Sequence, residues 1–116
     1  MPLLTNREII RAEKKAGGKG HVIIEKLLSP KELVGQCNMY AKVTLEPGCS
    51  LGYHEHHGES ETYYILTGNG EYNNNGTLVN VKPGDVTFTP SGEGHGLENT
   101  GTENLIFMAL IICDPK

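Results

Sequence analysis

Gly48-Cys49-Ser50-Leu51-Gly52-Tyr53-His54-Glu55-His56-His57-Gly58-Glu59-Ser60-Glu61-Thr62-Tyr63-Tyr64-Ile65-Leu66-Thr67-Gly68 is the stretch on which the reading of this chain turns. In an extended strand, residues two apart point the same way, so His54 and His56 present both imidazoles on one face, about 6.5–7 Å apart along the backbone. Glu61 has the opposite parity on a continuous strand. It joins the pair only if the chain turns between them, and Gly58 and Ser60 are turn formers at that place. The returning strand, Glu61 to Thr67, then carries a carboxylate back to the two histidines.

Working outward, a third imidazole follows in Gly84-Asp85-Val86-Thr87-Phe88-Thr89-Pro90-Ser91-Gly92-Glu93-Gly94-His95-Gly96-Leu97-Glu98-Asn99. Pro90, Gly92 and Gly94 mark a tight bend after a strand, with His95 just beyond it. Three imidazoles and one carboxylate suit a first-row divalent metal, and four protein ligands leave positions free for water or substrate.

Both stretches match the signature motifs of the cupin superfamily, which the chain resembles. The pattern G-x5-H-x-H-x4-E-x6-G falls on Gly48, His54, His56, Glu61 and Gly68, and the pattern G-x5-P-x-G-x2-H-x3-N on Gly84, Pro90, Gly92, His95 and Asn99. The resemblance covers roughly residues 36–112. It implies an all-β fold, a double-stranded β-helix or jelly-roll barrel, with one divalent transition metal (Fe, Mn, Zn, Ni or Cu) held inside by His54, His56, Glu61 and His95.

The remaining residues set the frame. A chain of 116 residues is expected to form one domain, 1–116, with its barrel core at about 36–112 and an N-terminal helix and strand in 1–35. Its 15 glycines and 6 prolines fit many short strands and turns rather than a helical bundle. A net charge of −4 gives no electrostatic reason to expect nucleic acid or an anionic membrane as partner. The first residues lack the apolar run of a signal peptide or anchor, so a cytoplasmic location is expected. Cys37, Cys49 and Cys113 are odd in number and lack CxxC spacing, which argues against a disulfide framework or a zinc ribbon.

Thr5 to Ala16 reads as a short helix, capped by Thr5 or Asn6 and stopped by Gly17-Gly18, that covers the barrel. His21 to Leu28 reads as a strand stopped by Ser29-Pro30, with His21 as a surface residue. Gln36 to Leu45 alternates, with Cys37, Met39, Ala41, Val43 and Leu45 on one side, so Met39 and Tyr40 cannot both face the pocket. Asn75-Gly76 between two short strands is a hairpin signal. The run Asn104 to Ile112 is apolar on both faces, as in a strand buried on both sides or against a second subunit, and a homodimer is expected.

Within the first motif, His57 points away from its neighbour His56, and Glu55 and Glu59 compete with Glu61 only if the turn has another length. The helical zinc-protease signature fails because Gly58 stands where its second histidine belongs. Tyr63 shares the parity of Glu61, so its hydroxyl is available to a cavity. An open metal site supports two classes of function on a small-molecule ligand. The first is an enzyme, with iron or manganese dioxygenase chemistry as its leading form and zinc or manganese isomerase or lyase chemistry beside it, in which Glu61 acts as the catalytic base. The second is a binder without turnover.

Overall fold

The computed structural model describes residues 3–116. Ten strands follow in order: β1 Ile9–Glu13, β2 His21–Lys26, β3 Cys37–Leu45, β4 Ser50–Glu55, β5 Glu59–Thr67, β6 Gly70–Asn74, β7 Thr77–Val81, β8 Val86–Thr89, β9 Gly94–Asn99 and β10 Leu105–Cys113. They build two antiparallel sheets, one in the order β1-β2-β3-β10-β5-β8 and one in the order β4-β9-β6-β7. This is the expected jelly roll, and the first motif crosses from one sheet to the other between β4 and β5.

The alternation of β3 is resolved as an inner and an outer face: Ala41, Val43 and Leu45 are buried. On its neighbour β10 the inward residues are Leu105, Phe107 and Ala109, each at most 1% exposed. Tyr63 and Phe107 pack at a ring-centroid distance of 4.5 Å. Each such large apolar side chain removed from water is worth about 1.5–3 kcal/mol. Through Tyr63, which stacks on the His95 ring, this core lies against the second motif.

Two motif residues that carry no metal-binding group have structural roles. Gly68 has φ +83°, and a Cβ there would sit 2.5 Å from the Asn104 carbonyl oxygen, so no larger residue fits where β5 meets the start of β10. The Asn99 amide donates to the carbonyls of Leu45 and Glu103 at 2.8 and 2.7 Å, and its oxygen accepts from Gly101 N–H at 2.9 Å. That side chain closes the turn between β9 and β10 from inside, satisfying backbone groups that burial would leave unpaired.

The N-terminal helix expected over Thr5 to Ala16 does not form. Ile9–Glu13 is a strand paired along its length with β2, Ile9 opposite Glu25 and Glu13 opposite His21. Only Lys15–Gly17 makes a 3-10 turn. Ile10 and Ala12 turn inward while Ile9, Arg11 and Glu13 face outward, a period of two. The capping signals near Thr5 and Asn6 were outweighed by the open edge of β2, which offers every residue of the segment a backbone partner. A single helical turn, Pro30–Leu33, follows Ser29, where Glu32 accepts hydrogen bonds from the Ser29 amide at 2.9 Å and hydroxyl at 2.7 Å. Among the described residues no helix is long and apolar enough to cross a membrane.

Candidate metal centre

The turn at Gly58, in the left-handed region at φ +77°, returns the chain so that β5 begins at Glu59 in the opposite sheet. β4 runs antiparallel to β9 with His54 directly opposite His95. His54, His56, Glu61 and His95 therefore meet inside the barrel, each offering one ligand atom, with all four atoms within 4.8 Å of one another. Glu61 Oε1 is 2.9 Å from Nε2 of both His56 and His95 and 4.0 Å from Nε2 of His54. The Nε2 atoms of His56 and His95 are 3.0 Å apart.

What lies behind the rings decides what those atoms can do. His54 Nδ1–H donates to the Gly52 carbonyl at 2.8 Å, and His56 Nδ1–H donates to Glu59 at 2.6 Å. Those acceptors fix the proton on Nδ1 and leave Nε2 with a lone pair aimed inward. His95 Nδ1 is engaged by the hydroxyls of Tyr72 at 2.8 Å and Thr89 at 2.9 Å, which are 2.8 Å from each other. Lone pairs of nitrogen and carboxylate oxygen thus crowd one point at about hydrogen-bond distance, which is repulsive unless a cation or a proton stands among them. The donor set, its convergence and its outer hydrogen bonds fit a divalent transition metal.

The electrostatics agree. Burial opposes charge on Glu61, yet the neighbouring imidazoles of His54, His95 and His56 together hold its carboxyl down at about 2, so it is an anion at neutral pH. Burial pushes the His95 imidazole below its ordinary value, favouring the neutral ligand form. At His54 burial, the largest single influence, acts in the same direction, but the nearby Glu61 carboxylate and the hydrogen bond to the Gly52 carbonyl together outweigh it and the net shift is upward. The Tyr63 phenol is driven well up by burial and by the Glu61 charge. It stays protonated, stacked on the His95 ring at 4.8 Å, with its oxygen 3.4 Å from His95 Nε2.

A cavity of about 310 Å³ opens onto His54, His56 and Glu61. Its walls are apolar, with Ile10 and Ala12 of β1, Val22 and Ile24 of β2, and Met39 of β3 among them, and Lys15 and Lys26 at its margin. Met39 faces it and Tyr40 does not. The N-terminal segment covers the site as expected, but as a strand edge.

The neighbours of the first motif separate clearly. His57 is 70% exposed and pairs with Glu55 at 3.2 Å on the surface. Glu59 takes a place behind His56, held there by the Asn38 amide at 2.7 Å. Tyr72 and Thr89, buried beside His95, were missed in the sequence. Thr89 precedes Pro90 of the second motif and is the one of the two that spacing could have flagged. His21 is only partly exposed, in close contact with Glu46 and 3.2 Å from Arg11, and takes no part in the centre.

A family model described as a cupin domain matches residues 41–112. The chain is 47% identical over 102 residues to the oxalate-binding protein of Thermotoga maritima, covering 88% of this chain and 84% of that one. A crystal structure from Thermotoga maritima, described as a predicted oxalate decarboxylase, superposes with a TM-score of 0.90 at 44% identity, covering 94% of this chain and 95% of that chain. Oxalate decarboxylase OxdC of Bacillus subtilis is 32% identical over 75 residues, which span 60% of this chain but only 20% of that protein. A family model that spans both motifs, and a relative nearly half identical over most of both chains, leave one reading of descent: the chain belongs to the cupin family.

Proposed function

We propose that the protein holds a small carboxylate ligand of the oxalate class through a divalent metal carried by His54, His56, Glu61 and His95, and that it acts as a binder. The observation that carries this reading is the inward convergence of four donors whose outer atoms are already engaged, three of the four residues being buried. The name of the Thermotoga maritima relative supports the ligand class.

When bound, a divalent cation at such a site supplies Lewis acidity and open positions for carboxylate oxygens. The protein's own groups do the rest. Glu61 stays anionic and offsets part of the metal charge. The Tyr63 phenol, held protonated, is a hydrogen-bond donor at the edge of the site. The apolar walls from β1 to β3 exclude water, which strengthens each charge interaction within. Among the described residues lining the cavity, Glu61 is the single carboxyl group. Among those residues no second carboxyl group lines the cavity to return a proton to a reacting carbon, which supports binding over decarboxylation.

Two measurements test this. His56→Ala and His95→Ala should each lose the metal while keeping a folded barrel; a full metal complement in both, by elemental analysis, refutes the ligand assignment. Calorimetric titration of the metal-loaded protein with oxalate should show saturable 1:1 binding. Oxygen uptake with Fe(II) and a panel of catechols, diketones, thiols and hydroxy acids should show no turnover. Turnover on any of them would restore the dioxygenase reading that the motifs first raised, with Glu61 as base.

Self-association belongs to the same proposal. The outer face of the larger sheet carries exposed Tyr64, Val86 and Phe88 beside the half-buried Ile106, Met108 and Leu110. Tyr64 lies opposite both Met108 and Val86, so these apolar side chains form a continuous patch on adjacent strands. A second copy of the chain is the proposed cover. Light scattering that returns a monomer mass at micromolar concentration removes it.

A further inference from the structure

From the turn that joins β1 to β2 we infer that Lys15 is a specificity residue, which makes this site prefer a dicarboxylate over a monocarboxylate. The inference rests on the carboxylate-binding reading above. The turn is unusual backbone. Lys14, Ala16 and Gly17 all lie in the left-handed region, at φ 50°, 54° and 77°, and each non-glycine residue there costs about 1 kcal/mol.

The surroundings hold it in that form. Lys14 N–H donates to the Gly20 carbonyl at 2.7 Å. Lys19 accepts from Ser50 N–H at 2.8 Å through its carbonyl, and its own N–H donates to the Ser50 hydroxyl at 2.8 Å. Gly52 allows the approach, since a Cβ there would sit 2.0 Å from the Ala16 carbonyl oxygen. The same Gly52 offers its carbonyl to His54. The turn is therefore locked to the strand that carries the first histidine, and it sets Lys15 at the rim of the cavity.

Charge decides what Lys15 does there. The second cation at the cavity margin, Lys26, is matched by Glu8 at 3.5 Å, whereas Lys15 has no ion-pair partner among the described residues. With neutral imidazoles, a divalent metal plus the Glu61 carboxylate leaves one net positive charge. A monocarboxylate cancels that charge by itself. A dicarboxylate overshoots it by one, and an uncompensated charge between apolar walls is costly. Lys15 is the cavity-lining cation left without a partner to cancel the excess, and the three N–H donors of its ammonium suit the carboxylate oxygens that face away from the metal.

The experiment compares oxalate and acetate on Mn(II)-loaded protein by calorimetry, for the wild type, Lys15→Gln, Lys15→Arg and Lys26→Gln, with metal content and melting temperature measured for each. Lys15→Gln should weaken oxalate about tenfold, as befits the loss of one charge-assisted hydrogen bond. It should leave acetate within about twofold, Lys15→Arg should keep most of the preference, and Lys26→Gln should bind both as wild type does. Equal loss for oxalate and acetate in Lys15→Gln, unchanged oxalate binding in that variant, or an equal loss in Lys26→Gln overturns the role of Lys15 while the ligand reading stands. A metal-loaded wild type that does not bind oxalate refutes the ligand reading, and this inference goes with it.

Discussion

The Tyr72 hydroxyl lies 2.8 Å from Nδ1 of His95, so a residue of β6 sets the orientation of a ring on its neighbour β9. Thr89 shares that nitrogen at 2.9 Å from the opposite sheet. Partners behind metal-binding histidines typically change affinity by about 10–100-fold. Tyr72→Phe, which leaves Thr89 in place, should therefore weaken the metal about tenfold, and Tyr72→Phe combined with Thr89→Val should approach a hundredfold. Competition with a chromophoric chelator reads both. An unchanged affinity in the double variant would show that His95 is held by packing alone.

Glu59 and Glu61 should separate by degree. Glu59 touches His56 only at Nδ1, 2.6 Å away, whereas Glu61 contributes an oxygen to the centre. Glu61→Ala should abolish metal retention after dialysis. Glu59→Ala should lower affinity about tenfold, and His57→Ala, on the surface, should not change it. Elemental analysis of the three variants checks the order; a Glu59→Ala protein as empty as Glu61→Ala would place Glu59 among the ligands.

Substitution at Gly52 should destabilise the protein through the N-terminal turn. A Cβ there meets the Ala16 carbonyl oxygen at 2.0 Å, while one at Gly58 meets nothing within 4 Å. Gly58→Ala bears only left-handed strain, about 1 kcal/mol. Gly52→Ala must displace backbone and should cost about 2–4 kcal/mol. Urea unfolding of both, with equal m-values, tests this, and equal costs would mean that the turn yields freely.

The metal-free protein should lose stability in acid through Glu61. Its carboxyl sits at about 2 in the folded protein against an ordinary value of 4.5, so the unfolded chain takes up the proton more readily than the native one. The stabilisation is complete above the unfolded value and is lost as pH falls from about 4.5 towards 2, about 3 kcal/mol in all. Denaturant melts of chelator-treated protein between about pH 6 and pH 2 should show this slope. In Glu61→Gln it should be shallower, the remainder coming from Glu25, Glu32 and Asp85, whose carboxyls are also held below their ordinary values, and an identical slope in that variant would assign the acid sensitivity to those groups.

The fold and the candidate donors were legible because two spaced motifs resemble those of the cupin superfamily, and the local spacing agrees with them. His54 and His56 share parity, Gly58 breaks the strand before Glu61, and Pro90, Gly92 and Gly94 bend the chain ahead of His95. The first strand was not legible in that way. Thr5 to Ala16 carries helix caps and a glycine stop, and its own residues do not reveal that β2 has an open edge waiting for it. Tyr72 and Glu59 were obscure for a related reason: one is simply a residue of a hairpin strand and the other reads as a rival ligand until the rings they support are in position.

By itself the sequence determined that the strands alternate, where they turn, and which four side chains have the chemistry and spacing to meet. The tertiary structure alone decided which nitrogen of each imidazole points inward, which groups stand behind it, and that Lys15 reaches the cavity rim. Parity and turn residues act between neighbours in the chain and are local properties. Ring orientation and charge balance depend on atoms that are distant in sequence, such as Tyr72 and His95 or Ala16 and Gly52, and they exist only once the two sheets have closed on each other.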